Sequence, residues 1–127
     1  MADLSTVDGY QITFNPSAVI AIADHDLLTD APLTCIYGIT RGVLRTQEPV
    51  SSFLTRLNLT AEFSQLTRPT GAAVWIRGSA VVCVRVPLPN EYGAGVNSVV
   101  TAGAVEQGVQ EIPQDVILAV NASGGNL

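Results

Sequence analysis

Apolar and polar side chains alternate along residues 10–14, which read Tyr-Gln-Ile-Thr-Phe. A period of two is typical of a strand with one buried face. The preceding Asp8-Gly9 pair is a strong signal for a two-residue hairpin turn, because glycine accepts a positive φ at little cost. The following Asn15-Pro16 pair breaks the strand, because proline has no N–H to donate to a neighbouring strand. The start of the chain therefore predicts a strand hairpin, a corner and a second apolar strand over residues 18–22.

The next segment predicts a second hairpin and then a helix. Residues 33–37 and 41–47 have the composition of two strands joined by a turn. An apolar stripe at i, i+3, i+4 and i+7, which includes Phe53, then predicts a short helix over residues 50–57. Pro49 suits the start of this helix, because the first helical N–H groups have no partner in any case.

The second half of the chain repeats this order of elements. Gly9 of the first hairpin matches Gly71, which lies 62 residues further on. The helix positions recur at a separation of 63, so that Phe53 matches Val116, and Pro113 stands at the start of the second helix. Self-similarity at a fixed period is typical of a duplicated supersecondary unit.

This duplication predicts the fold class and its boundaries. We expect a β-rich α+β fold of two tandem repeats, each with about four or five antiparallel strands and one short helix, related by a pseudo-twofold axis. Repeat 1 covers residues 1–59 and repeat 2 covers residues 60–121. Residues 122–127 read as a flexible Gly/Ser/Asn tail with nothing to bury. A chain of 127 residues makes one compact domain from these parts.

Composition favours a protein whose surface is covered by neighbours. The chain is 47% hydrophobic and only 13% charged, and all six of its basic residues are arginines. Soluble domains average roughly 25% charged residues and use a mixed charged surface to stay soluble. The alternative explanation of this composition is that the chain comes from a high-GC genome, which favours Arg, Ala, Gly and Val codons. The net charge of −5 argues against nucleic acid as a partner. No apolar run approaches the roughly 20 residues of a membrane helix, and no signal-peptide pattern is visible.

Groups for catalysis or metal binding are sparse. The only histidine lies in the triplet Asp24-His25-Asp26, which has ligand types suited to a divalent ion but also the composition of a solvated turn. The triplet has no counterpart in the second half, and we favour the turn. Glu48 and Glu111 each lie just before a predicted helix, where a carboxylate favours the positive end of the helix dipole. We therefore expect neither an enzyme nor a bound metal or cofactor.

The two cysteines are expected to differ in burial. Cys35 shares a strand face with Leu33 and Tyr37, whereas Cys83 shares one with Val81 and Arg85. Cys35 should therefore be the more buried. Both are interpreted as reduced thiols, and a disulfide between subunits through either one is left open.

Trp75 and nearby arginines form the candidate interface. Alternation along residues 74–76 points Trp75 away from the apolar face, together with Arg77. Arg68 lies across the predicted tight turn and could stack on the indole. Tyr92 in the following loop completes a set whose residue types are enriched in interface hot spots. The alternative is that a second layer of the same domain covers Trp75.

Each half of the chain resembles the small bacterial proteins related to the flagellar-operon protein FlbD. Those proteins share a strand hairpin, an Asn-Pro corner, a Val/Ile strand, a further hairpin and a Glu-containing entry to a C-terminal helix. The matching segments are residues 12–22 and 46–57 in the first half and residues 74–84 and 109–111 in the second. The second half departs at the corner, where Arg77-Gly78 replaces Asn15-Pro16. This resemblance implies a cytoplasmic binding or regulatory module. It implies no specific biochemical activity, because the family has none that is settled.

The composition also resembles that of accessory subunits of phage particles, such as capsid-decoration or tail proteins. These are small, lysine-poor chains rich in Ala, Val, Gly and Thr. Together with the scarcity of catalytic groups, this likeness makes a non-catalytic structural subunit of a phage virion the leading expectation. Its partners would be protein subunits of the same assembly, in a homo-oligomer or a lattice.

Overall fold

Ten short antiparallel strands and two helices make up the fold of residues 1–127, as described by a computed structural model. The elements are β1 (Ala2–Ser5), β2 (Gln11–Phe14), β3 (Ala21–Ala23), β4 (Thr34–Tyr37), β5 (Leu44–Thr46), α1 (Val50–Arg56), β6 (Phe63–Thr67), β7 (Ala73–Arg77), β8 (Val81–Arg85), β9 (Ser98–Ala102), β10 (Val105–Val109) and α2 (Pro113–Ala122). The predicted strand-rich α+β class is confirmed. Neither helix has the length and apolarity needed to cross a membrane.

The strands follow one another in a single order across three sheets. The sheets are β1-β2, β5-β4-β3-β7-β6 and β10-β9-β8. Just past β1, the N–H of Val7 donates to the carbonyl of Arg45 in β5 at 2.9 Å. Just past β10, the N–H of Gln110 donates to the carbonyl of Thr67 in β6 at 2.8 Å. These single bonds place β1 next to β5 and β6 next to β10 without strand pairing, so the three sheets follow in the order β2-β1, β5-β4-β3-β7-β6, β10-β9-β8, with β2 and β8 at the two ends.

The strand registers of the first half recur in the second. The matched pairs are Leu4–Ile12 with Leu66–Val74, Ile22–Ile36 with Val84–Val100, and Thr34–Thr46 with Ser98–Val109. In the strand order, β2, β1, β5, β4 and β3 thus correspond to β7, β6, β10, β9 and β8. These registers favour the predicted duplication into residues 1–59 and 60–121, which stays a prediction.

Both first hairpins close in the same way, with a turn longer than predicted. The N–H of Thr6 donates to the carbonyl of Tyr10 at 2.9 Å, so the turn between this bonded pair has three residues and not two. The equivalent bond, from Arg68 to Ala72, is 2.8 Å long. Gly9 and Gly71 adopt φ values of 86° and 93°. This conformation favours glycine because a β-carbon would be strained there.

Two hydrophobic clusters form the core, one on each side of the β3–β7 pair. The first surrounds Phe53 of α1 and includes Phe14, whose ring centroid lies 6.0 Å from that of Phe53. The second surrounds Val116 of α2. The side chains of Phe53 and Val116 are fully buried, as their predicted structural role requires. Since β3 and β7 contribute residues to both clusters, the junction between the two halves lies at the centre of the molecule.

The helices begin and end with recognisable backbone devices. Pro49 immediately precedes α1 and Pro113 is the first residue of α2. Asn58, two residues after the end of α1, has a positive φ of 57°. The second helix continues past Asn121, the matching position, and Gly124, two residues after the end of α2, has a φ of 91°. A left-handed residue at this place lets the next N–H groups satisfy the last carbonyls of the helix.

The prediction that residues 122–127 have nothing to bury is wrong. The N–H of Gly125 donates to the carbonyl of Val120 at 2.9 Å, and Leu127 exchanges hydrogen bonds with the Asn121 side chain. A β-carbon on Gly78 would lie 2.5 Å from the carbonyl oxygen of Ser123. The end of the chain therefore packs closely over the corner that contains Gly78.

Candidate functional site

Arg77, predicted to lie at an exposed interface, is instead buried at the junction of the two halves. The residue is only 7% exposed. Nε donates to the carbonyl of Val19 at 2.7 Å, and Nη2 donates to the carbonyl of Pro16, also at 2.7 Å. Nη1 pairs with Glu62 at 2.8 Å, and the guanidinium lies 4.8 Å from the ring centroid of Phe63. The Arg77 side chain thus connects β7 by hydrogen bonds to the corner that follows β2.

Arg68 is likewise buried, and the prediction that it stacks on Trp75 is wrong. The longer turn pairs Trp75 with Gln65, which leaves Arg68 beyond the end of β6. Arg68 is 3% exposed, and its Nη1 donates to the carbonyl of His25 at 3.1 Å. Its Nε lies 3.4 Å from the side-chain oxygen of Gln107. The residue connects the turn after β6 to a loop of the first half and to β10.

Trp75 packs inside the domain more than on an outer surface. It is half-buried and lies against the first hydrophobic cluster, next to Ile22, its pairing partner in β3. The alternative considered from the sequence, that another layer of the same domain covers the indole, describes this position better. The exposed Arg/Trp patch predicted from residues 68, 75 and 77 therefore does not exist.

Tyr92 belongs to an ion-pair network at the end of β8. Arg85 forms a bidentate ion pair with Glu91, with N–O distances of 2.7 and 2.6 Å. The hydroxyl of Tyr92 donates a hydrogen bond to Glu106 at 3.0 Å. The Arg85 guanidinium and the N–H of Leu88 lower the pKa of Glu91 to about 2. Burial, followed by the hydrogen bond to Glu106, raises the pKa of Tyr92. Tyr92 is half-buried, and this network holds the loop after β8 in place.

The acidic groups considered for chemistry have structural partners. Glu111 accepts hydrogen bonds from the N–H and the hydroxyl of Thr67, at 3.0 and 2.9 Å. Glu48 accepts a two-pronged pair from Arg56, whose guanidinium lowers the pKa of the carboxyl. His25 Nδ1 lies 2.9 Å from a carboxylate oxygen of the preceding aspartate. No three His, Cys, Asp or Glu residues lie together in a way that could hold a metal ion.

The cysteines differ in burial as predicted. Cys35 is buried and Cys83 is exposed, and neither forms a disulfide within the chain. Burial raises the pKa of the Cys35 thiol, which makes it a weaker nucleophile at neutral pH. Cys83 lies on β8, at one end of the strand order.

The most distinctive surface consists of the free edges of β2 and β8. Each of these strands pairs with only one neighbour, β1 and β9 respectively. An unpaired edge presents N–H and C=O groups that can hydrogen-bond to another strand, and proteins often protect such edges with lysine or proline. Neither β2 nor β8 contains either residue, although β8 ends in Arg85 and has a β-bulge between Val81 and Cys83. We call these two edges the β2 edge and the β8 edge.

The β8 edge is apolar and exposed where its counterpart in the first half is buried. In β3, which corresponds to β8, residues 21–23 are all 0% exposed, because β7 pairs beside them. On β8, the matching residues are Cys83, which is exposed, and Val84 and Arg85, which are half-buried. Val82, the bulge residue before them, is 71% exposed. Beyond the strand, Val86 and Leu88 are each 66% exposed. The second half thus lacks the strand that covers this position in the first.

Comparison of the chain with protein-family models, curated proteins and solved structures finds no match.

Sequence reasoning missed both edges, although a signal for them was available. The separation of 62 residues that matches Gly9 with Gly71 also matches β2 with β7 and β3 with β8. That match predicts that β2 and β8 are open only when it is combined with the pairing of β3 with β7, because β2 corresponds to β7 and β8 corresponds to β3. The β3–β7 pairing joins distant parts of the chain.

Proposed function

We propose that this chain is a non-catalytic structural subunit of a large protein assembly, and specifically of a bacteriophage virion, as a capsid-decoration or tail-associated protein. The observation that carries the proposal is the exposed apolar β8 edge, together with the β2 edge at the opposite end of the strand order. Exposed apolar patches beside unpaired strands are typical of surfaces that bind other proteins.

Two further properties support a role in assembly. Only 13% of the residues are charged and none is lysine, so the free chain has little of the charged surface that keeps monomers apart. The buried charged groups Arg68 and Arg77 and the carboxylate of Glu111 are occupied by contacts within the domain. These charged side chains thus stabilise the fold of the domain itself.

The assembly role is tested by light scattering of the purified chain after size exclusion at low salt. We expect a mass well above the 13.3 kDa of one chain, with larger species at higher concentration. A single 13.3 kDa species at all concentrations, with no virion protein that binds it, would contradict the proposal. Its presence in purified particles, detected by mass spectrometry, tests the virion part separately.

A cytoplasmic binding or regulatory module of the FlbD-like type is a second candidate. The order hairpin, corner, strand, hairpin and helix occurs in each half, and this order favours it. The neighbouring genes separate the two candidates. Capsid and tail genes favour the virion role, whereas flagellar genes favour the regulatory one.

A further inference from the structure

We propose that copies of this chain join head to tail, with the β8 edge of one copy pairing with the β2 edge of the next. The inference rests on the proposed structural role and names its partner, which is a second copy of the same chain. The chain already contains the template for this contact, because β3 and β7 form the same kind of junction between its two halves.

The internal junction fixes the register of the proposed one. Within the chain, Ile22 of β3 lies opposite Trp75 of β7 in an antiparallel pair. At the separation of 62 residues, Ile22 corresponds to Val84 and Trp75 corresponds to Thr13. The proposed contact therefore places Val84 of one copy opposite Thr13 of the next. Each new copy extends the strand order by another ten strands.

The backbone of Thr13 is oriented for this pairing. The carbonyl of Tyr10 accepts a hydrogen bond from Thr6, so the even-numbered backbone groups at this hairpin face β1. Backbone groups of successive strand residues point to opposite sides, and those of Thr13 therefore face the open side. In β7, the odd-numbered Arg77 donates its N–H to Ile20, just before β3, at 2.8 Å.

The contact between copies should be weaker than the one within the chain. At the internal junction the Arg77 side chain binds the carbonyls of Pro16 and Val19. The corresponding residue at the outer junction is Asn15, whose side chain accepts hydrogen bonds from Ser17 of its own corner. The outer junction thus has the strand pairing without the arginine, as suits a contact that forms after the chain has folded.

The two edges do not satisfy each other within one chain. β2 and β8 are not paired, because both halves run in the same direction along the strand order, from β2 to β3 and from β7 to β8. A junction that joins different surfaces and does not close on itself continues from copy to copy, as a ring or a filament. This head-to-tail geometry fits a subunit of a larger assembly.

Cysteine cross-linking tests both the contact and its register. The variant carries Thr13→Cys and Val84→Cys in a Cys83→Ser background, and each single substitution in the same background is the control. Directly opposed strand residues lie within the distance that a disulfide can span. Under mild oxidation we expect disulfide-linked multimers from the double variant only, up to the number of copies in the assembly. A second test compares Thr13→Pro, which removes one N–H from the free edge, with Thr13→Ala, which keeps it.

The outcomes separate this inference from the proposed role. Linked multimers, together with a roughly tenfold weaker association of Thr13→Pro than of Thr13→Ala, support head-to-tail pairing. A wild-type chain that assembles while the double variant forms no link between chains overturns the inference and leaves the structural role standing. A link confined to single chains shows that β2 and β8 close on each other and overturns it as well. A wild-type chain that stays monomeric contradicts both the head-to-tail pairing and the proposed structural role.

Discussion

Replacing Arg77 with methionine is expected to weaken the junction between the two halves severely. The substitution keeps a long apolar side chain over Phe63 but removes all three hydrogen bonds of the guanidinium. The carbonyl of Val19, a residue that is 0% exposed, would then lose its side-chain donor in a place that water reaches poorly. Pro16 is a partly exposed residue and the Glu62 side chain is 53% exposed, so we expect their oxygens to regain water.

The magnitude follows from these contacts. Hydrogen bonds that involve a charged group contribute about 1.5–3 kcal/mol each, and a buried acceptor left without a donor costs about 1–3 kcal/mol. Two carbonyls lose a charged donor, and the ion pair with Glu62 counts for little because its carboxylate is exposed. We expect Arg77→Met to lower the free energy of unfolding by about 3–5 kcal/mol. For a domain of this size this corresponds to a fall in Tm of roughly 10–20 °C.

The assay is urea unfolding followed by the fluorescence of Trp75, the only tryptophan, which lies at the same junction. Dilute protein is used, because assembly would add apparent stability. Arg41→Met is the matched control, since Arg41 is exposed and its side chain makes no hydrogen bond within the domain. The control should change the free energy by less than about 0.5 kcal/mol. If Arg77→Met is as mild as Arg41→Met, the burial and bonding assigned to Arg77 are wrong.

Three further predictions concern the corner, the β8 edge and the loop after it. Gly78→Ala should cost about 1–3 kcal/mol in urea unfolding, because its β-carbon would lie 2.5 Å from a backbone oxygen, whereas Gly42→Ala, in open space, should be neutral or slightly stabilising. Thiol labelling without denaturant should reach Cys83 first in the dilute chain and become slower on assembly; equal fast labelling of both cysteines would contradict the burial described. The pKa of Glu91 is lowered from 4.5 to about 2, so the stability from this carboxylate is present above pH 4.5 and is lost as the pH falls towards 2. Glu91→Gln should flatten this part of the pH profile of urea unfolding, and an unchanged profile would refute the pairing.

The local elements could be predicted from the sequence because their signals are local. The alternation of residues 10–14 sets a strand face, and the positive φ of Gly9 and Gly71 follows from the turn they occupy. The helix around Phe53 and its counterpart around Val116 follow from a 3.6-residue period. Each of these signals depends on neighbours within a few positions, and the structure contains all of them.

The sites could not be predicted because they depend on contacts between distant segments. The alternation along residues 74–77 places Arg77 on the same strand face as Trp75, and this face was predicted to be exposed. The partners that bury Arg77, at Pro16 and Val19, are about 60 residues away. Alternation assigns a strand face without saying what covers it, and here the first half covers Trp75. The flexible tail was predicted from composition, whereas Gly125 packs against a corner far away in sequence. Charge and glycine content describe solubility and local freedom, and they leave tertiary partners undetermined.

Hydrogen exchange measured at two protein concentrations tests head-to-tail pairing most directly. In the concentrated sample, amides of residues 11–14 and 81–86 should exchange more slowly than in the dilute sample, and both segments should change together. Residues 21–23 and 73–77, which are already paired within the chain, should exchange equally slowly in both samples. Protection that rises with concentration in only one of the two edges, or in neither, would contradict pairing of β8 with β2 of another copy.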